Sequence, residues 1–257
     1  MSVQRAVRQE LPAEDLLYVA DSAHAPYGER SRAFIEVRAI ALTEFLLQQD
    51  VKAVVVACNT ATGAAAETLR SRFTIPIVAM EPAVKPAAAR TRSGTVGVLA
   101  TAHTLSSSRF LKLVDTHAAS IQVLIQPCAG FVEQVEKGEL ASPETRALVE
   151  RYVRPLVEKG ADTLVLGCTH YPFLSDLIRE VAGPDVALID PALAVGRELR
   201  RRLSVQNLLH DEGHRGTEQF WTTGVPSAVE AVIRDLRGEQ VIVQSLPSSK
   251  GRGPSSS

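Results

Sequence analysis

Two stretches decide the fold: Lys52-Ala-Val-Val-Val-Ala-Cys58-Asn59-Thr60 and Ala161-Asp-Thr-Leu-Val-Leu-Gly-Cys168-Thr169-His170. Each is an apolar run of strand length, then a small residue, a cysteine and two polar residues that open a helical segment. A strand buried on both faces of a parallel sheet reads as such a run, without polar alternation. A cysteine just past its C-terminal end lies where open α/β sheets bind ligands. The N–H groups and dipole of a following helix favour a thiolate, and a thiol of pKa ~8.5 can fall to about 7 there. Two such units offer two positioned thiols. Taking a proton from one face of a carbon and returning it to the other needs two positioned groups.

Outward from these stretches, strands alternate with helices. Leu16–Ala20 reads as a short strand feeding a loop through Pro26 and Gly28 to Ser31. A helix is expected from about Ser31 to Gln49, with Phe34, Val37, Ala41, Leu42 and Phe45 on its apolar face. Ile75–Ala79, Thr95–Ala100, Ile121–Ile125 and Val186–Ile189 read as strands, and Gln219–Thr223 as the last one. Ser142-Pro143-Glu144 is a helix start, with a capping serine and proline in the first turn. The alternation predicts an α/β fold with parallel-rich, doubly wound sheets. The repeat of the cysteine unit, 110 positions apart, predicts two similar lobes with an active site in the cleft between them. Pro-rich joints near 81–86 and 190–191 place residues 1–82 plus 191–246 in the first lobe and 83–190 in the second. Residues 247–257 are expected to be a disordered tail.

Composition narrows the function classes. The 257 residues are 45% hydrophobic and 22% charged, with a formal net charge of −1, so nothing points to nucleic acid or an anionic membrane. No apolar run approaches the roughly 18 residues of a membrane span, and residues 1–10 are polar and helix-like. Three cysteines form no disulfide framework, which fits a reducing cytoplasm, and their spacing suits no usual zinc site. No metal and no cofactor are expected. Cys128, without a polar pair after it, reads as a structural core residue.

Asn59 and His170 flank the thiols with an amide and an imidazole able to hold a carboxylate, and His170 is also placed to assist Cys168. Thr60 and Thr169 read equally as helix caps or as substrate contacts. Tyr27-Gly28 presents backbone N–H groups to an anion or forms a structural turn. His24, His103, His117, His210 and His214 read as surface or loop residues.

Taken together, Ala25-Pro-Tyr27-Gly28-Glu-Arg-Ser31, Val56-Ala-Cys58-Asn59-Thr60-Ala-Thr62, Glu81-Pro-Ala-Val-Lys-Pro86 and Leu166-Gly-Cys168-Thr169-His170-Tyr-Pro-Phe173 resemble the glutamate racemases. The resemblance runs from about residue 2 to residue 224. It implies cofactor-independent interconversion of L- and D-glutamate, supplying D-glutamate for peptidoglycan. It implies Cys58 and Cys168 as the acid/base thiols, the first acting on D-glutamate. Tyr27, Gly28, Asn59, Thr60, Thr169 and His170 would bind substrate, as would Thr101 and Thr104, and Glu136 matches a supporting acid near the second thiol. Family members are often dimers, and some inhibit DNA gyrase, which makes a homodimer and gyrase the candidate partners.

One departure stands out. Family members begin with a strand and an Asp-Ser-Gly motif that are not found before the helix starting at Ser2. The favoured expectation is that Met1 is an internal methionine of a longer protein; the alternative is a real truncation. Three rivals remain: an aspartate racemase, a Cys168/His170 hydrolase that would leave Cys58 idle, and a non-catalytic gyrase binder.

Overall fold

The structure is a computed structural model and describes residues 1–118, 120–211 and 213–247. From residue 248 on, the expected tail lies outside the described residues. Helix α1 (Ser2–Glu10) precedes β1 (Leu16–Ala20), α2 (Arg32–Leu47), β2 (Val54–Val56), α3 (Asn59–Arg72), β3 (Ile77–Ala79) and α4 (Val84–Arg90). There follow β4 (Thr95–Ala100), α5 (Ala102–Ser106), α6 (Ser108–His117), β5 (Gln122–Pro127), α7 (Phe131–Glu136) and α8 (Pro143–Glu158). Next come β6 (Thr163–Leu166), α9 (Ser175–Ala182), β7 (Ala187–Ile189), α10 (Ala192–Val205), β8 (Glu218–Thr222), α11 (Pro226–Arg237) and β9 (Val243–Ser245).

Strands β5-β4-β6-β7 form one parallel sheet. Its inner strands β4 and β6 are buried along their whole length, which is why they read as unbroken apolar runs. Side chains alternate between the faces. Leu99, Leu164 and Leu166 join Phe131, Val149, Val153, Leu156 and Tyr171 on one side. Val96, Val98 and Val165 join Val84, Leu105 and Phe110 on the other. Ser142 caps α8 by accepting the Thr145 N–H, with Pro143 in the first turn, as the sequence indicates.

The other lobe is also built of parallel strands, but in two ladders, β1-β8-β9 and β2-β3. Side-chain packing joins them: Leu16, Val55, Val78 and Met80 share one apolar cluster with Val3 and Val7 of α1 and Val195, Leu199 and Leu203 of α10.

Two sequence expectations need correction. Gln219–Thr223 is not the last strand, because α11 and β9 follow β8. The signals for α11 are Pro226 at its start, Val229, Ile233 and Leu236 along one face, and Gly238 in the left-handed conformation at its end (φ 74°). In α2 the buried side carries Ile35, Thr43 and Phe45, while Val37 is 64% exposed. The helix is turned so that Ile35 meets Ala61 and Ala64 of α3, and Phe45 meets the edge of Trp221 at 5.3 Å.

Candidate active site

Cys58 follows β2 and is the N-cap of α3, with extended backbone (φ −156°, ψ 123°). Its Sγ accepts the Ala61 N–H at 3.4 Å, the place a serine or threonine oxygen usually takes. Tyr27, Ile35, Val56 and Ala61 pack about it. The sequence reading expects the helix N-terminus to lower this thiol. The structure reverses that: burial pushes Cys58 up to about 11. The Ala61 and Thr60 N–H groups pull the other way without winning, and negative charge on Cys168 adds to the rise. In a site of low polarity, desolvation of a thiolate outweighs one helix end.

Cys168 comes after β6 and Gly167. A Cβ on Gly167 would lie 2.7 Å from Ala100 Cβ and 2.9 Å from the Leu99 carbonyl oxygen, so the strand ends pack closer than any side chain allows. The following residues turn into a 3₁₀ helix (Tyr171–Leu174), and α9 starts only at Ser175. Cys168 therefore caps no α-helix, unlike Cys58. Its polar neighbour is a side chain: Sγ is 3.7 Å from His170 Nδ1, and His170 Nε2–H donates to Glu136 Oε1 at 2.6 Å. Burial works against the imidazolium, but Cys168 and Glu136 together raise His170 to about 9. The same bond holds Glu136 below the usual carboxylate range.

Three threonine hydroxyls meet where α3 begins, beside the first thiol. Thr60 Oγ1 is 3.0 Å from Thr101 Oγ1 and 3.2 Å from Thr104 Oγ1, and the last two are 3.0 Å apart. Thr60 opens α3 and Thr101 caps α5, so the triangle ties the start of one helix to the start of another across the lobes. Gly28 sits over Thr101, 3.8 Å away at the position a Cβ would take.

The Tyr27 phenol is committed elsewhere. It donates to Asp21, which also accepts two bonds from Arg38 (3.0 and 2.7 Å) and one from Thr223 Oγ1 (2.8 Å). Burial would raise Asp21, but these bonds hold it at about 2. Tyr27 and Gly28 form a 3₁₀ turn with Glu29, so what they offer a ligand is backbone N–H rather than phenol. His24, expected as a surface or loop residue, is 3.0 Å from Asp21 and packs on Phe34. Asp21, Arg38 and Thr223 were not singled out from the sequence. They stand far apart in the chain, and only an acid at the mouth of a strand hints at them.

Asn59 is buried, and its amide has no hydrogen-bond partner among the described residues. Thr169 is half-buried between Cys168 and His170, with its carbonyl accepting from Ser2 Oγ at 2.7 Å. Cys128 lies in the apolar cluster under β4 and β6, its thiol facing the Gln126 carbonyl at 3.4 Å.

A profile of the Asp/Glu/Hydantoin racemase family matches residues 1–199. Glutamate racemase from Pseudomonas aeruginosa is 52% identical over 96% of this chain and 93% of its own length. The crystal structure of a glutamate racemase isoform from Bacillus anthracis superposes with a TM-score of 0.88 at 31% identity, over 96% of this chain and 93% of that one. Escherichia coli glutamate racemase, crystallised with L-glutamate and the activator UDP-MurNAc-ala, superposes with a TM-score of 0.84 at 30% identity, over 95% and 92%. The chain belongs to the Asp/Glu/Hydantoin racemase family, among its glutamate racemases.

Proposed function

We infer that this chain interconverts L- and D-glutamate by two-thiol proton transfer, and that its product supplies D-glutamate for peptidoglycan. The observation that carries the reading is the pairing of the thiols. Cys58 and Cys168 leave the C-terminal ends of β2 and β6 and lie close enough for charge on one to disfavour the thiolate of the other. Metal or prosthetic chemistry plays no part in the scheme.

The Cys58 thiolate takes the α-proton of D-glutamate. The Cα–H bond breaks, its electron pair moves into the α-carboxylate as an enediolate, and an S–H bond forms. The Cys168 thiol then gives its proton to the opposite face of Cα, leaving a thiolate that His170 stabilises. The reverse reaction exchanges the roles. Asn59, Thr60, Thr101, Thr104, Thr169 and the Tyr27-Gly28 N–H groups are assigned to substrate, and Glu136 to holding His170 charged and oriented. A Cys58 thiol near 11 is neutral at pH 7. The α-ammonium of bound glutamate supplies the positive charge that favours its thiolate, so deprotonation is coupled to binding.

Circular-dichroism assays of racemisation from each enantiomer test the scheme. Cys58→Ser and Cys168→Ser should each abolish turnover in both directions, and full activity in either variant overturns the two-thiol mechanism. A homodimer and an interaction with DNA gyrase rest on the family resemblance alone; light scattering and a supercoiling assay address them.

A further inference from the structure

His210 and His214, read from the sequence as surface or loop residues, stand four apart in the segment between α10 and β8. The fold brings both to one carboxylate, that of Asp15. His214 Nε2 is 3.3 Å from each Asp15 oxygen, and His210 Nε2 is 4.0 Å from Oδ2. The imidazoles stack, with centroids 4.4 Å apart and planes 22° apart, and one donor atom from each of the three residues falls within 4.8 Å of the others. A tetrahedral zinc ion, with bonds of about 2.0–2.2 Å to nitrogen and carboxylate oxygen, sets its ligand atoms about 3.3–3.5 Å apart. The His214–Asp15 spacing already meets this, the His210–Asp15 spacing needs a contraction of about half an ångström, and the stacked rings must swing apart for both Nε2 atoms to face one ion.

The surroundings brace the three residues. Asp15 Oδ1 accepts the Thr217 N–H at 2.7 Å and its hydroxyl at 2.6 Å, which fixes the carboxylate as an outer shell fixes a metal ligand. The His210 N–H donates to the buried Glu14 carboxylate at 2.8 Å, and Lys52 pairs with Glu14 at 2.6 Å. The His214 N–H closes a turn onto the Asp211 carbonyl at 2.9 Å. At Gly216 a Cβ would sit 2.2 Å from the Glu14 carbonyl oxygen, so the segment is pressed against residues 12–14.

We propose that Asp15, His210 and His214 form a surface site for a zinc-class divalent cation, with three protein ligands and solvent completing the shell. Two imidazoles and a carboxylate suit such an ion and not magnesium or calcium, which take oxygen ligands. The site lies at the N-terminal ends of β1 and β8, whereas the Tyr27-Gly28 loop leaves the C-terminal end of β1. The ion therefore pins His210 and His214 to the residue that precedes the first strand and takes no part in racemisation. The inference does not rest on the proposed function.

Equilibrium dialysis of the full chain against Zn²⁺ at neutral pH tests it, in a Cys58→Ser/Cys168→Ser background that removes the two half-buried thiols and leaves only the buried Cys128. One equivalent should bind at micromolar free zinc, and adding His210→Ala or His214→Ala should weaken binding at least about tenfold, since each removes a direct ligand. Tm should rise with zinc in the background chain and stay flat in the histidine variants. Should a variant fail to fold, imidazole NMR of the background chain decides: zinc-dependent shifts at His210 and His214 support the site. Shifts confined to other histidines, absence of stoichiometric binding, or equal binding by the histidine variants overturns it.

Discussion

Replacing Gly167 with alanine would test whether the end of β6 sets the position of the second thiol. The added Cβ would stand 2.7 Å from Ala100 Cβ and 2.9 Å from the Leu99 carbonyl oxygen. Apolar carbons pack at about 3.5–4.0 Å, so one strand end must retreat by roughly 1 Å. Neither neighbour is the mobile tip of a side chain. Leu99 and Ala100 are fully buried, and Leu99 also accepts the Gly167 N–H at 2.7 Å. Overpacking of this kind costs about 1–3 kcal/mol. The displacement is passed directly to Cys168, the next residue, and a misplacement of about 1 Å at a reacting group costs on the order of 10²-fold in rate. Urea unfolding should therefore show a loss of about 1–3 kcal/mol. Racemisation should fall on the order of 10²-fold in both directions, with little change in KM. Wild-type turnover in a variant destabilised as expected would refute the link between strand packing and thiol placement.

Two further substitutions probe the groups behind the thiols. Glu136→Gln removes the carboxylate that His170 contacts at 2.6 Å; a bond to a charged group contributes about 1.5–3 kcal/mol, and roughly half survives at a half-exposed residue. His170 should then fall by about one pKa unit from its value near 9, read by imidazole NMR, and the alkaline limb of the rate profile should move down with it. Because this pKa is raised on folding, the stability it confers is complete below about pH 6.5 and is lost as pH climbs through 9. An unmoved limb and an unmoved His170 would remove Glu136 from the scheme. Asp21→Asn leaves the Arg38 guanidinium without its carboxylate and loosens the turn holding Tyr27 and Gly28. We expect a loss of about 2–3 kcal/mol at neutral pH and a raised KM for glutamate with a smaller change in kcat. Asp21 is depressed to about 2, so its contribution is complete above the ordinary aspartate value near 4 and is lost as pH falls through 2. An unchanged KM would detach Asp21 from substrate binding.

What the sequence conveys best is what local chemistry dictates. The apolar run before Cys168, the Ser142-Pro143 cap and the helix-like residues 1–10 follow from strand burial, helix capping and helix period, and have their counterparts in β6, α8 and α1; the run before Cys58 becomes β2, buried only at Val54. Contacts across the chain leave no such mark. Asp21 meets Arg38 17 positions on and Thr223 202 positions on, and Asp15 meets His214 199 positions on. The rotation of α2 is set by Ala61 and Ala64, which its own periodicity does not contain.

The two thiols show why a repeated motif need not mean repeated chemistry. Both follow a parallel strand, buried along its whole length at β6 but only at Val54 in β2, and both precede two polar residues. Yet Cys58 is the cap of a fourteen-residue helix, and Cys168 stands on a turn that delays the next helix to Ser175. Backbone N–H groups are thus the polar partners of the first thiol, while an imidazole and its carboxylate back the second. Fixed dipoles lower a thiol by a set amount that burial overrides at Cys58. An imidazolium brings a full charge and a transferable proton to Cys168. The near-symmetry in sequence therefore yields an asymmetric pair. In the proposed scheme the first thiol draws on the charge of the arriving substrate, whereas an imidazolium already stands beside the second.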